Sequence, residues 1–256
     1  MSKWALVTGA TAGIGESFTR VLAREGFSIV LVARDLERMK KRAASLESQY
    51  KVHTAIVQAD LATDAGCAKV EKYISENHIE VLINNAGFGI NKSFSVSNLD
   101  SEQQLLDVLV RTPMRLMHTI LPQMKERNGG SIINVSSVAG WIAGGTYSAS
   151  KSYLTVLSES IHTEMSGTGV KISALCPGFT RTEFHERGRM RMNGLPEFMW
   201  LSADRVVSQA WKENQKGKVL SVPGWQYLVL STLSRFGPRP LVRKLGMNVR
   251  MRQRQK

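Results

Sequence analysis

The 256-residue chain predicts an α/β domain: one doubly wound parallel sheet with helices on both faces. Three observations predict it. Short runs of Val, Ile and Leu recur without polar alternation, as expected of strands buried on both sides. Between them lie longer segments with apolar residues three or four apart, the spacing of amphipathic helices. Strand, helix and strand succeed one another repeatedly with no internal repeat, low-complexity tract or linker, which is the order of βαβ units.

In chain order the strands are expected at Trp4–Val7, Ser28–Ala33, Val52–Val57, Val81–Ile83, Ser131–Val135 and Lys171–Cys176, all short and rich in β-branched residues. The helices between them are expected at Ile14–Glu25, Leu36–Ser48, Ala65–Glu76, Glu102–Lys125 and Ser148–Glu164. After Gly178 the texture changes. Thr180–Trp200 mixes Arg, Met and Phe with Gly188, Gly194 and Pro196 and reads as an inserted lid. Ser202–Glu213 predicts a further helix with Ser202 as its N-cap. Lys218–Val222 predicts a last strand, and Pro223-Gly224-Trp225 opens a C-terminal extension, 223–256.

Composition narrows the function classes. Hydrophobic residues make up 43% and charged residues 21%, which excludes a disordered chain. No stretch approaches the roughly 20 apolar residues of a membrane span, and Met1-Ser2-Lys3 runs straight into the apolar Trp4–Val7, leaving no room for a signal peptide. Two cysteines, Cys67 and Cys176, make no disulfide framework, so a cytoplasmic location is expected. The five histidines are scattered without a metal-ligand spacing, and no metal is expected. The net charge is +13, but eight of the cations lie between Arg235 and the C-terminus with no acid among them; without them the charge would be +5. That tail has no interleaved aromatics and no reading motif, so nucleic acid is not an expected partner.

The first strand runs into Thr8–Gly15, TGATAGIG, which opens the first helix. Glycines there permit a tight turn, and the helix N-terminus offers free N–H groups and positive dipole to a pyrophosphate. The spacing Gly9, Gly13, Gly15 is not GxGxxG; it resembles the TGxxxGxG signature of the short-chain dehydrogenases/reductases, a Rossmann-type family. The resemblance implies that Thr11, Ile14 and Leu61 also line the cofactor site. At the end of the second strand it places Ala33 where an NAD-specific acid would sit, with Arg34 next. A guanidinium there suits the 2′-phosphate of NADP(H); the alternative is a solvated Arg34, with Asp35 taking a 2′-hydroxyl. Asp60 in QADL would accept from the adenine amino group, or else serve as a helix cap. In NNAG, Asn85, Ala86 and Gly87 would line the adenosine ribose, and Asn84 would tie neighbouring strands.

YSASK sets Tyr147 and Lys151 four apart at the start of a helix, hence on one face. A free phenol titrates near ~10 and is a poor base at neutral pH. An ammonium beneath it favours the phenolate, so Tyr147 can exchange a proton with a carbonyl or alcohol oxygen while hydride passes to or from a nicotinamide. By the resemblance Ser137, in NVSS, would hydrogen-bond the substrate oxygen. Pro177, Gly178, Thr180 and Thr182, in PGFTRT, would enclose the nicotinamide, with Thr182 on its carboxamide. The resemblance runs from Lys3 to about Val222, so 1–222 is expected to be the dinucleotide-binding catalytic domain, of an NADP(H)-preferring, bacterial-type reductase subgroup.

Two features depart from the family. The Asn that usually supports a proton-relay water beside the lysine is replaced by Leu109, and Ser137 and Tyr147 are ten residues apart, closer than usual. The expected activity is reduction of a ketone or aldehyde, or the reverse oxidation, on an apolar (lipid, acyl or steroid-like) substrate. That substrate class rests on Met190, Met192, Phe198, Met199 and Trp200, for which core packing is the competing account. Arg187, Arg189 and Arg191 are either an anion site or a solvated face. The rival function is a cofactor-binding sensor or scaffold that has lost turnover. A homo-oligomer is expected. The apolar residues of Trp225–Phe236 beside the basic tail either attach peripherally to an anionic membrane or pack on protein.

Overall fold

A computed structural model of the protein describes residues 3–188 and 196–243. Seven parallel strands form one sheet in the order β3-β2-β1-β4-β5-β6-β9. They are β1 Trp4–Thr8, β2 Ser28–Ala33, β3 Thr54–Gln58, β4 Val81–Asn84, β5 Gly130–Val135, β6 Val170–Leu175 and β9 Leu220–Ser221. A separate parallel pair joins β7, Thr180–Arg181, to β8, Leu201–Ser202, with the short helix α7, Phe184–Arg187, between them in the chain. The predicted doubly wound sheet is the observed one.

The absence of polar alternation has a direct structural reading. Along β1 and β2, Ala5, Val7, Ile29 and Leu31 enter one core, while Leu6, Val30 and Val32 enter the other. The first core is closed by α1 (Gly13–Arg24), α2 (Leu36–Tyr50) and α8 (Ala203–Gln215), through Phe18, Leu22, Met39, Val206 and Trp211. The second is closed by α3 (Asp64–Glu76), α5 (Thr112–Glu126) and α6 (Thr146–Glu164), through Ile74, Leu116, Ile120 and Leu154. Each fully buried aliphatic side chain contributes about 1.5–3 kcal/mol relative to exposure, so both faces must be apolar.

Helix starts follow side-chain chemistry. Asp35, Thr63, Asn98 and Ser202 accept from backbone N–H groups in the first turns of α2, α3, α4 (Leu99–Leu106) and α8. The segment predicted as one helix, Glu102–Lys125, is interrupted. Between α4 and α5 lies a π-helical turn, Asp107–Arg111, in which Thr112 N–H reaches back to the Asp107 carbonyl. Pro113 explains it: proline has no N–H to give the carbonyl four residues back, at Leu109.

The first helix of the C-terminal extension packs on the core. That helix is α9, Trp225–Phe236, whose Tyr227 is only 1% exposed and packs in the first core. Its hydroxyl donates to the Met199 carbonyl (2.5 Å) and accepts from Phe179 N–H (3.0 Å). Arg235 lies 3.7 Å from Glu159 and over the Trp141 ring, so it is not one of a set of unopposed cations. Lys244, Arg250, Arg252, Arg254 and Lys256 lie outside the described residues, as do Arg189, Met190, Arg191 and Met192 of the expected lid.

Candidate active site

Because all seven strands run in one direction, the loops and helix starts at the C-terminal edge of the sheet carry the expected cofactor residues and Ser137, Tyr147 and Lys151. At the centre is the glycine loop. Gly9 and Gly13 have φ of +64° and +57°, a region that other residues rarely adopt. A Cβ on Gly15 would stand 2.2 Å from the Gly9 carbonyl oxygen, so the turn closes only without side chains. Unlike α2, α3, α4 and α8, helix α1 has no side-chain cap, so its first-turn N–H groups are left to an external acceptor. This donor set fits a pyrophosphate.

The loop is braced from β4. Asn85 Nδ2 donates to the carbonyls of Thr8 (2.9 Å) and Gly9 (3.2 Å). Thr8 Oγ1 accepts from the N–H groups of Asn85 and Ala86 at 2.9 and 3.0 Å. The Asn85 amide therefore shapes the loop, and Thr8, which sequence reasoning passed over, is its partner. Thr11 is buried and Ile14 packs on the first core. At the end of β2 Arg34 is exposed, whereas Asp35 accepts from Arg38 N–H as the α2 cap. Asp60 accepts from Ala62 N–H (3.1 Å) while Thr63 caps α3, so Asp60 closes a turn rather than a helix. Leu61 is buried, and its carbonyl accepts from Thr112.

Arg38 is a second residue that sequence reasoning missed. Its guanidinium forks onto Glu183 (2.8 and 3.2 Å) and reaches the Thr11 carbonyl, tying α2 and the phosphate loop to the segment after β7. The Glu183 carboxylate pushes the Arg38 pKa above its ordinary value. Its place in the first turn of α2, four residues after Arg34, was the available signal.

Tyr147 and Lys151 occupy the first turns of α6, with Lys151 Nζ 5.6 Å from the Tyr147 ring centre. The Lys151 side chain is buried and donates to the Val135 carbonyl at 2.6 Å. Burial lowers its pKa to about 8, and the neighbouring Cys176 acts weakly the other way. Burial pushes the Cys176 thiol up to about 11. Ser137 caps the turn Val138–Trp141, accepting from Ala139 N–H (3.1 Å) and donating weakly to the Pro177 carbonyl (3.4 Å). Thr180 Oγ1 donates to the Gly178 carbonyl (3.0 Å), and Thr182 accepts from Phe184 N–H (3.3 Å). A Cβ on Gly13 would meet the Thr182 side chain at 2.9 Å, so Thr182 sits directly over the phosphate loop.

The wall around Tyr147 is apolar. It packs with Phe88 and Ile90 against Leu105, Val108 and Leu109, and its ring lies 5.9 Å from that of Phe184. Phe88 and Ile90 also border a cavity of about 370 Å³ whose rim includes Lys92, Asn98 and Ser101. A Cβ on Gly87 would come within 2.8 Å of Leu109 Cδ2.

Residues 3–192 match the family described as short chain dehydrogenase. The chain belongs to that family. As a short-chain dehydrogenase it is an oxidoreductase of carbonyl and alcohol groups with a nicotinamide cofactor. It is 29% identical to very-long-chain 3-oxoacyl-CoA reductase-A of Danio rerio, over 99% of this chain and 80% of that one. Among solved structures it resembles a short-chain dehydrogenase from Sphingobium yanoikuyae in complex with NADPH, with TM-score 0.83, 29% identity and 99% and 98% of the two chains covered. It also resembles the bulky-bulky ketone specific alcohol dehydrogenase from Comamonas testosteroni, with TM-score 0.79, 30% identity and 90% and 92% coverage.

Proposed function

We propose that this dehydrogenase is an NADP(H)-dependent reductase of apolar ketones or aldehydes, lipid, acyl or steroid-like in character. The observation that carries the reading is Tyr147, four residues before the buried Lys151 and set in a wall of Phe88, Ile90 and Phe184. The glycine loop, Arg34, Asp60, Asn85, Ala86 and Gly87 would hold the adenosine and phosphates. Pro177, Gly178, Thr180 and Thr182 would flank the nicotinamide, which when bound supplies the hydride. Arg34 is free to meet a 2′-phosphate while Asp35 is engaged as a cap, which supports NADP(H).

In reduction, Tyr147 Oη gives its proton to the carbonyl oxygen as that oxygen gains charge. Ser137 Oγ, with its proton only weakly engaged by Pro177, donates a hydrogen bond to the same oxygen. The Lys151 ammonium stabilises the phenolate left behind. Tyr147→Phe tests this assignment. Turnover found in a carbonyl screen following NADPH absorbance is expected to fall at least ~100-fold with NADPH affinity little changed; near-normal turnover refutes it.

The same reading extends to the surroundings. No helix among the described residues is long and apolar enough to cross a membrane. Helix α9 nonetheless exposes Trp225, Leu228, Val229, Leu233 and Phe236 beside Arg235 and Arg239, which supports peripheral contact of a cytoplasmic enzyme with an anionic membrane. Exposed Met114, Tyr153 and Val156 on α5 and α6 support pairing with a second copy.

A further inference from the structure

Helix α9 opens the C-terminal extension, yet its second and third residues turn inward. Gln226 is 8% and Tyr227 1% exposed, whereas Trp225 beside them is 71% exposed. The two inward side chains address the paired strands β7 and β8. Tyr227 Oη stands between the lead-ins to both strands. It accepts from Phe179 N–H, just before β7, and donates to the Met199 carbonyl, shortly before β8. Gln226 Nε2 donates to the Phe198 carbonyl at 3.0 Å. Burial pushes the Tyr227 phenol up to about 12, so it keeps its proton and remains a donor to Met199.

The ring also sets the backbone beside it. A Cβ on Gly178 would stand 2.0 Å from Tyr227 Cε1 and 2.1 Å from Cζ, so the Gly178 main chain lies against the ring itself. From Gly178 the restraint passes outward. Thr180 Oγ1 donates to the Gly178 carbonyl, and Thr182 stands over Gly13 of the glycine loop. Other bonds hold the same segment: the Phe179 carbonyl accepts from Leu201 N–H (2.9 Å), the Pro177 carbonyl accepts from Val138 N–H (3.1 Å), and Arg181 pairs with Glu197. Those bonds tie the two strands to each other and to the turn after β5. Tyr227, itself part of the first core, ties them to α9.

We propose that Tyr227, assisted by Gln226, is a positioning residue for the nicotinamide half of the cofactor: it clasps the lead-ins to β7 and β8 and so fixes residues 178–182 where that half binds. The proposal rests on the NADP(H) reading above and extends it past residue 222, because α9 then belongs to the catalytic unit. The adenosine half is expected on Arg34, Asp60 and Asn85, which follow other strands, β2, β3 and β4. A loosened clasp should therefore weaken one half of the cofactor site and spare the other.

The test compares two probes on the full chain. Tyr227→Phe keeps the ring against Gly178 and removes both hydrogen bonds of the hydroxyl. Affinity for NADPH, read from its nicotinamide fluorescence, should fall ~5-fold or more, while affinity for adenosine 2′,5′-bisphosphate, read by calorimetry, stays within ~2-fold. Gln226→Leu removes one bond and should move the ratio of the two affinities in the same direction by less; it carries the test if the Phe variant does not fold. A merely structural role would weaken both probes alike, or lower the melting temperature and leave both affinities where they were. An unchanged ratio in the folded variants overturns the proposal. Failure of the NADP(H) reading appears separately, as an unmodified protein that binds neither probe, and ends the proposal with it.

Discussion

Replacing Lys151 by Met separates the chemistry of this side chain from its burden on the fold. The substitution keeps the stem's volume and removes a charge that is buried and hydrogen-bonded to the Val135 carbonyl. Burial lowers the lysine pKa from 10.5 to about 8. Between those values the unfolded chain holds a proton that the folded chain has released, so stability from this group rises with pH across that window. Below pH 8 both states are protonated, and the fold carries the full cost of the buried ammonium. From pH 7 to pH 10 the shift corresponds to about 2.5 kcal/mol of regained stability in the unmodified protein and none in the variant. The expected difference between the two proteins over that range is therefore ~1.5–2.5 kcal/mol. Urea unfolding of both proteins at the two pH values measures it, because titrating groups that do not feel Lys151 cancel in the difference, and the coupled Cys176 thiol adds only a smaller contribution. Lys151→Met should also be the more stable protein at pH 7 while losing turnover. A pH-dependent difference below ~0.5 kcal/mol would show that the ammonium is solvated in the folded state, and the burial argument would fail.

Other outcomes follow from the same geometry. NADPH should bind at least ~10-fold tighter than NADH, a difference of ~1.4 kcal/mol, and Arg34→Glu should reverse the preference in a direct titration; equal affinities in the unmodified protein would refute the assignment. Gly178→Ala would place a Cβ 2.0 Å from the Tyr227 ring, which is buried in the core. It should therefore lower stability by ~2 kcal/mol or more in denaturant unfolding; an unchanged midpoint would mean the ring can move. Removing α9 by truncation would open the core at Tyr227, so membrane contact is better tested in the full chain with Leu233→Glu and Phe236→Glu. Salt-sensitive binding to anionic vesicles that these changes abolish is expected, whereas a full chain that stays in the supernatant at low salt would end the idea.

The strands, most helices and the placing of Tyr147 beside Lys151 were legible in the sequence because their causes are local. A run such as Ser28–Ala33 has no polar side to expose, and Tyr147 and Lys151 share a face because they are one helical turn apart. The loop Thr8–Gly15 was legible for the same reason: its glycines answer to backbone angles within the segment itself. Pro113 was also in plain view, yet its effect on the α4–α5 helix was missed, because the apolar spacing runs through the π turn without a break.

Only the tertiary structure decided what depends on strand order. Asn84, Asn134 and Ser158 are far apart in the chain, and they form a ladder because β4 lies beside β5 with α6 packed over them. The orphaned Asn84 oxygen is a consequence of that ladder. Arg38 likewise meets Glu183, 145 residues away, beside the glycine loop, and Tyr227 meets Phe179 and Met199. Periodicity and motif spacing report which face or turn a residue occupies. They carry no information on which distant donor that face will meet, because the meeting is set by how the sheet is ordered and how the helices close over it.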